Sequence, residues 1–186
     1  MAIEENPQFS NLDIFISHSS TDKEIAEVLV DLLRAALNIP ADKIRCTSVN
    51  GYRLPGGAST QEQLRREVHD ATVLIGILTQ RSAQSAYVLF ELGARWGAGR
   101  HLLPLLASGA DANLLRAPLS SFNALHCDEP AQIYQLVSDV ASLLEKNPNN
   151  PSAYQKFVEA LVRISTVQHT SDEVSETGVS EAPVSN

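Results

Sequence analysis

The chain has 186 residues, a formal net charge of −8 and a hydrophobic fraction of 44%, which fits one globular domain with appendages and excludes an intrinsically disordered protein. Four of the negative charges, Asp172, Glu173, Glu176 and Glu181, lie beyond Gln168, where no Lys or Arg occurs. The rest is only mildly acidic, so no direct nucleic-acid binding is expected. Cys46 and Cys127 stand alone, outside any Cys-x-x-Cys pair or His cluster, and read as buried hydrophobes in a reducing compartment; no metal site is expected. The first residues lack the basic and apolar regions of a signal peptide, and no apolar run approaches the roughly 20 residues that span a membrane. The expected location is the cytoplasm, away from membranes.

Leu12–Ser17 is apolar and β-branched and predicts a strand. Thr21 and Glu24 have capping-box spacing. Behind them Ile25, Val28, Leu29, Leu32, Leu33 and Ala36 form one helical stripe, which Asn38 and Pro40 end. Ile44–Val49 predicts a short second strand. Asn50–Gly57, with three Gly and one Pro, predicts a loop. Ser59 and Glu62 form another capping box, opening a helix with Leu64, Val68 and Ala71 inward. Thr72–Thr79 is almost continuously apolar, as expected of a central parallel strand buried on both faces. A helix follows and ends near Gly97 and Gly99.

Leu102–Leu106 predicts a fourth strand, and Pro104 places it toward an edge or at a bulge. Asn123–His126 is a candidate fifth. Pro130 starts a helix with Ile133, Leu136, Val137, Val140, Leu143 and Leu144 on one face. The alternation of strands and helices predicts an α/β domain around a parallel sheet, helices on both faces. Residues 1–11 form an N-terminal segment, 12–146 the domain, 152–167 an extra amphipathic helix and 168–186 a disordered acidic tail. The extra helix, with Tyr154, Phe157, Val158, Leu161 and Ile164 on one face, either packs back on the domain or docks on another subunit.

Ligands of open α/β sheets bind beyond the carboxyl ends of the strands. His18-Ser19-Ser20, the Gly/Pro loop and Thr79–Tyr87 all fall there. The loop matches neither G-x-G-x-x-G nor a Walker phosphate loop. The helix Ser85–Gly93 carries one carboxylate, Glu91, the only formally charged residue between Ser82 and Ala94. A carboxylate on an apolar helix pairs with an Arg, here Arg81 or Arg95, or belongs to a reaction site.

Leu12–Lys23, the loop Asn50–Gly57 with Leu54-Pro55-Gly56, and Ser85-x-Tyr87-Val88-x-x-Glu91-Leu92 resemble, in order and spacing, the three motifs of the Toll/interleukin-1 receptor (TIR) domain family. The resemblance spans about Leu12 to Glu145. It implies a flavodoxin-like three-layer fold with a mostly parallel five-stranded sheet. Some TIR domains are signalling scaffolds; others, including many bacterial members, cleave NAD+ between nicotinamide and ribose with a helix glutamate. That residue corresponds to Glu91, and Tyr87 stands where the family usually has Trp. Tyr87 and Glu91, four apart, share a helix face. Val88 replaces the usual Cys. The resemblance further implies substrate contacts from His18, Ser19, Tyr52, Arg53 and Leu54. Asp22 reads as a cap or pairing residue, and Trp96 as core or interface.

The resemblance therefore implies an NAD+ glycohydrolase or ADP-ribosyl cyclase of antiphage immunity, with NAD+ as substrate and no cofactor. It also implies homo-oligomers through TIR–TIR contacts and an activating signal from a separate sensor or activator. The alternatives are a non-catalytic TIR scaffold and a nucleoside deoxyribosyltransferase-like enzyme, the latter disfavoured by the first motif and the loop.

Overall fold

The computed structural model of the protein describes residues 12–51 and 60–177, without the side chains of 60, 61 and 167–177. Five strands form one parallel sheet: β1 (Ile14–Ser17), β2 (Ile44–Arg45), β3 (Val73–Leu78), β4 (Leu102–Leu106) and β5 (Leu125–His126). Their order is β2-β1-β3-β4-β5, so the chain reverses its winding direction between β1 and β3. The helices are α1 (Lys23–Leu37), α2 (Thr60–Asp70), α3 (Ala86–Gly97), α4 (Pro130–Leu143) and α5 (Gln155–Thr177).

Strand side chains alternate between faces. Ile14, Ile16, Ile75, Ile77 and Leu105 point toward α1, α4 and α5; Phe15, Leu74, Leu78, Leu102 and Leu106 point toward α2 and α3. The result is a three-layer α/β fold of flavodoxin-like topology, as the sequence predicts. The alternation that sends Phe15 to the α3 side sends Ser17 there too. α3 comes close because residue 76 on β3 is glycine: a Cβ at that position would lie 3.0 Å from Leu92 Cδ1.

Several local expectations need correction. Thr21 and Glu24 do not cap α1. Ser19 caps a short 3-10 turn over Ser20–Asp22, and α1 begins after Asp22, whose side chain caps no helical N–H. The Asp22 carboxylate accepts from Thr79 Oγ1 instead, at 3.2 Å to each oxygen. The helix does end at Asn38, in the left-handed conformation at φ 50°, with its N–H bonded to the Arg34 carbonyl. β2 stops at Arg45, because the Val49 N–H turns back to the Cys46 carbonyl. Ser59 lies outside the described residues.

Pro104 lies in an interior strand rather than at an edge. The Leu74 N–H donates to the His101 carbonyl and the Cys127 N–H to that of Leu106, so odd-numbered residues of β4 face β3 and even-numbered ones face β5. The N–H that Pro104 lacks would face β5, whose pairing begins only at Leu105. No ladder bond is lost.

The extra helix α5 packs back on the domain: Val158 and Leu161, with Tyr154 just before the helix, are buried in the α1/α4 core, and the Tyr134 and Tyr154 rings meet tilted at 57° with centroids 5.8 Å apart. Its backbone runs on to Thr177, past the boundary expected at Gln168. No Pro or Gly falls between Pro151 and Gly178 to stop it.

Candidate functional site

α3 buries Val88, Glu91, Leu92 and Arg95, at i, i+3, i+4 and i+7. Ser85 caps it by accepting from the Val88 N–H at 3.4 Å. Two of the four buried residues are charged, and the structure treats them oppositely.

Arg95 is completely buried, yet every one of its N–H groups has an acceptor. Nε donates to the His101 carbonyl, Nη1 to those of Val68 and His69, and Nη2 to those of Ala71 and Thr72, at 2.6–3.1 Å. The guanidinium thus caps the C-terminus of α2, where carbonyls lack helical partners and a cation is favoured. Burial first, then the nearby Arg100, lowers its pKa to about 10, so it stays charged at neutral pH.

Glu91, 5% exposed, does not pair with Arg95. Its Oε2 accepts from Ser17 Oγ at 2.5 Å, and its Oε1 is buried without a hydrogen-bond partner among the described residues. Burial raises the carboxyl pKa, against the opposing pull of the Ser17 hydroxyl and the Tyr87 phenol. Burial, and then the Glu91 charge, raise the Tyr87 phenol in turn, so it remains a proton-bearing donor beside the carboxylate. Tyr87 and Glu91, with Phe90, Ala94 and the α2 residues Leu64, Arg65, Val68 and His69, line a mainly apolar cavity of about 450 Å³ between α2 and α3. A groove of about 630 Å³ across α3, along Leu89, Gly93 and Asn113–Leu119, does not include the carboxylate.

Of the other predicted site residues, His18 and Ser19 directly follow the carboxyl end of β1. His18 is buried; Nδ1 lies 3.4 Å from the Ile16 carbonyl and 3.8 Å from Cys46 Sγ, and Nε2 is hydrogen-bonded to Ser48 Oγ. Burial lowers its pKa, so the ring is neutral at pH 7. Ser19 is turned to the Thr21 N–H and hydroxyl as a cap. Tyr52, Arg53 and Leu54 lie outside the described residues. The buried Asp22–Thr79–Ser82 network ties the start of α1 to the segment leading into α3. Trp96 is 47% exposed, which excludes a core role and leaves a surface one. Sequence reasoning missed Ser17; only the strand alternation that carries Phe15 to the α3 side marks it.

Among the described residues no cluster of three or more His, Cys, Asp or Glu could hold a metal ion, and no helix is long and apolar enough to cross a membrane.

A parallel sheet with this order defines a doubly wound α/β domain, and the helix carboxylate beside the end of its first strand is a candidate site near the topological switch point. The sequence profile of the family described as "TIR domain" matches residues 14–137, and the chain belongs to that family. A curated relative, the uncharacterized protein YddK of Bacillus subtilis (strain 168), is 24% identical over 132 residues, covering 71% of this chain and 49% of its own. The chain thus spans about half the length of that relative. A similar solved structure is a metazoan TIR-STING receptor from C. gigas in complex with 2′,3′-cGAMP: TM-score 0.52, 19% identity, 74% of this chain and 41% of that one. The TIR domains of the activated Roq1 resistosome, which directly recognizes the pathogen effector XopQ, align with a TM-score of 0.45 and 13% identity over 84% of each chain.

Proposed function

We propose that this TIR domain cleaves NAD+ at the nicotinamide–ribose bond, with Glu91 as the catalytic carboxylate. The observation that carries the reading is the state of Glu91: buried, without the Arg95 partner the sequence offers, held through one oxygen and bordering a cavity. A carboxylate buried with no ion-pair partner among the described residues is costly for folding and suited to a reaction that develops positive charge.

In NAD+ the C1′–N bond joins a ribose to a pyridinium nitrogen. When it breaks, the electron pair leaves with nitrogen, nicotinamide departs neutral, and positive charge spreads over C1′ and the ring oxygen. Glu91 opposes that charge. Water then forms a C1′–O bond and loses a proton, giving ADP-ribose; capture by a hydroxyl or adenine nitrogen of the same molecule gives a cyclic product instead. One carboxylate suffices, because a neutral leaving group needs no acid. Tyr87 supplies a stacking face and a phenol donor one turn from Glu91. His18, Tyr52, Arg53 and Leu54 are proposed substrate contacts, and Ser19 a cap beside His18. No cofactor takes part.

Glu91 Oε1 is shielded from solvent in the single chain. Access of a ribose therefore requires the wall around it to move, and we take assembly of several copies, prompted by a separate activator, to supply that movement. Leu89, Phe90 and Trp96, exposed on α3, are apolar surface available to such contacts. The role is that of a cytoplasmic immune effector against phage. The same exposed residues favour the second reading, a non-catalytic scaffold.

The test is incubation of concentrated protein with NAD+ and identification of the products, beside Glu91→Ala and Glu91→Gln. Release of nicotinamide by wild type and its loss in both folded variants supports the enzyme. A folded variant with full turnover removes Glu91 from the reaction, and no turnover in any assembled state leaves the scaffold.

A further inference from the structure

The proposed chemistry uses one carboxylate, and the structure places a second side chain against it from another element. Ser17 is the last residue of β1 and is 1% exposed. It pairs in register with Gly76, the position whose missing Cβ lets α3 approach. Its hydroxyl reaches 74 residues along the chain to Glu91 Oε2, at 2.5 Å. The carboxylate's two oxygens are thereby made unequal: Oε2 is held by the sheet and Oε1 has no hydrogen-bond partner.

We infer that Ser17 is a positioning residue for Glu91: its hydroxyl fixes the carboxylate's rotation about the side chain and turns Oε1 alone toward the reacting sugar. The inference rests on the proposed reaction for its consequence but not for its geometry. A free carboxylate in an apolar wall rotates about its last bond, a broad two-fold torsion. A hydrogen bond from a buried donor to a charged acceptor is among the stronger ones and restricts that rotation.

The bond has a signature apart from activity. A donor to the ionised form favours ionisation. Among the described residues, the other titratable groups near Glu91 include Tyr87 and Arg95 on α3 and Arg65 and His69 on α2, and His18 follows Ser17 in the chain. Arg81 acts on Asp22 near the turn before α3. Removing the Ser17 hydroxyl changes none of these charges. Ser17→Ala removes one oxygen from a tight site, and Ser17→Cys keeps a weaker donor.

The experiment follows the Glu91 side-chain carboxyl by carbon-13 NMR through a pH titration, its signal assigned by its absence in Glu91→Gln. Wild type, Ser17→Ala and Ser17→Cys are compared, with thermal melts confirming the fold. The expected result is a titration midpoint higher in Ser17→Ala than in wild type, with Ser17→Cys between them. In the NAD+ assay kcat falls about 10- to 100-fold in Ser17→Ala while KM stays nearly constant. An unchanged midpoint in folded Ser17→Ala overturns the inference even if NAD+ is cleaved. A raised midpoint in a protein that cleaves no NAD+ upholds the positioning contact and defeats the reaction.

Discussion

At the scale of single residues, the two buried charges of α3 are held in opposite ways, one for structure and one, in the proposed reaction, for chemistry. Arg95 meets five carbonyls and Glu91 keeps one oxygen without a partner. Replacing Arg95 by Met strands those carbonyls, and chemical denaturation is expected to show a loss of about 3–5 kcal/mol. Glu91 gives the opposite result. Its folded pKa lies above its unfolded value, so the native state binds more protons than the unfolded chain, and stability falls as pH rises through that window. Below the unfolded value both states are protonated and the penalty vanishes. Thermal melts between pH 4 and pH 8 are therefore expected to show Glu91→Gln more stable than wild type at the upper end, the gap narrowing toward the lower. An equal or lower melting temperature for Glu91→Gln at pH 8 contradicts a penalty on the charged form. His18 acts in the other direction: its lowered pKa makes the native state bind fewer protons, so its contribution is lost as pH falls below the unfolded histidine value.

At the scale of elements, Gly76 sets how near α3 comes to the sheet. The Cβ of Gly76→Ala presses on the Leu92 side chain, and the expected relief is a small outward shift of α3 that loosens the Ser17–Glu91 contact. Urea denaturation is expected to register a cost of about 1–3 kcal/mol, and turnover to fall although residue 76 does not line the α2/α3 cavity. What was legible in the sequence follows the same logic. The stripes of α1 and α4 and the apolar run of β3 are repeated local signals, and the structure keeps them. The capping box at Thr21 failed because Asp22 bonds to Thr79, a partner 57 residues away. Pro104 misled because its harmlessness depends on where β5 begins, which no local pattern states. Glu91 stood out as a charge in an apolar helix. Ser17 did not, because its meaning comes only from strand alternation combined with the approach of α3.

At the scale of the whole molecule, the α2/α3 side carries the carboxylate, the cavity and the exposed Phe90 and Trp96, while α1, α4 and α5 form the thicker opposite layer. With Glu91 Oε1 covered in the single chain, turnover per subunit is expected to rise steeply with protein concentration or on addition of an activator. A flat rate per subunit across a wide dilution series contradicts activation by assembly. The most direct measurement is the amount of free nicotinamide released from NAD+ by assembled wild-type protein and by Glu91→Gln at equal folded concentration. The account predicts continuous release by wild type and a rate at least about 100-fold lower in the variant. Equal release by both, or none by either, contradicts it.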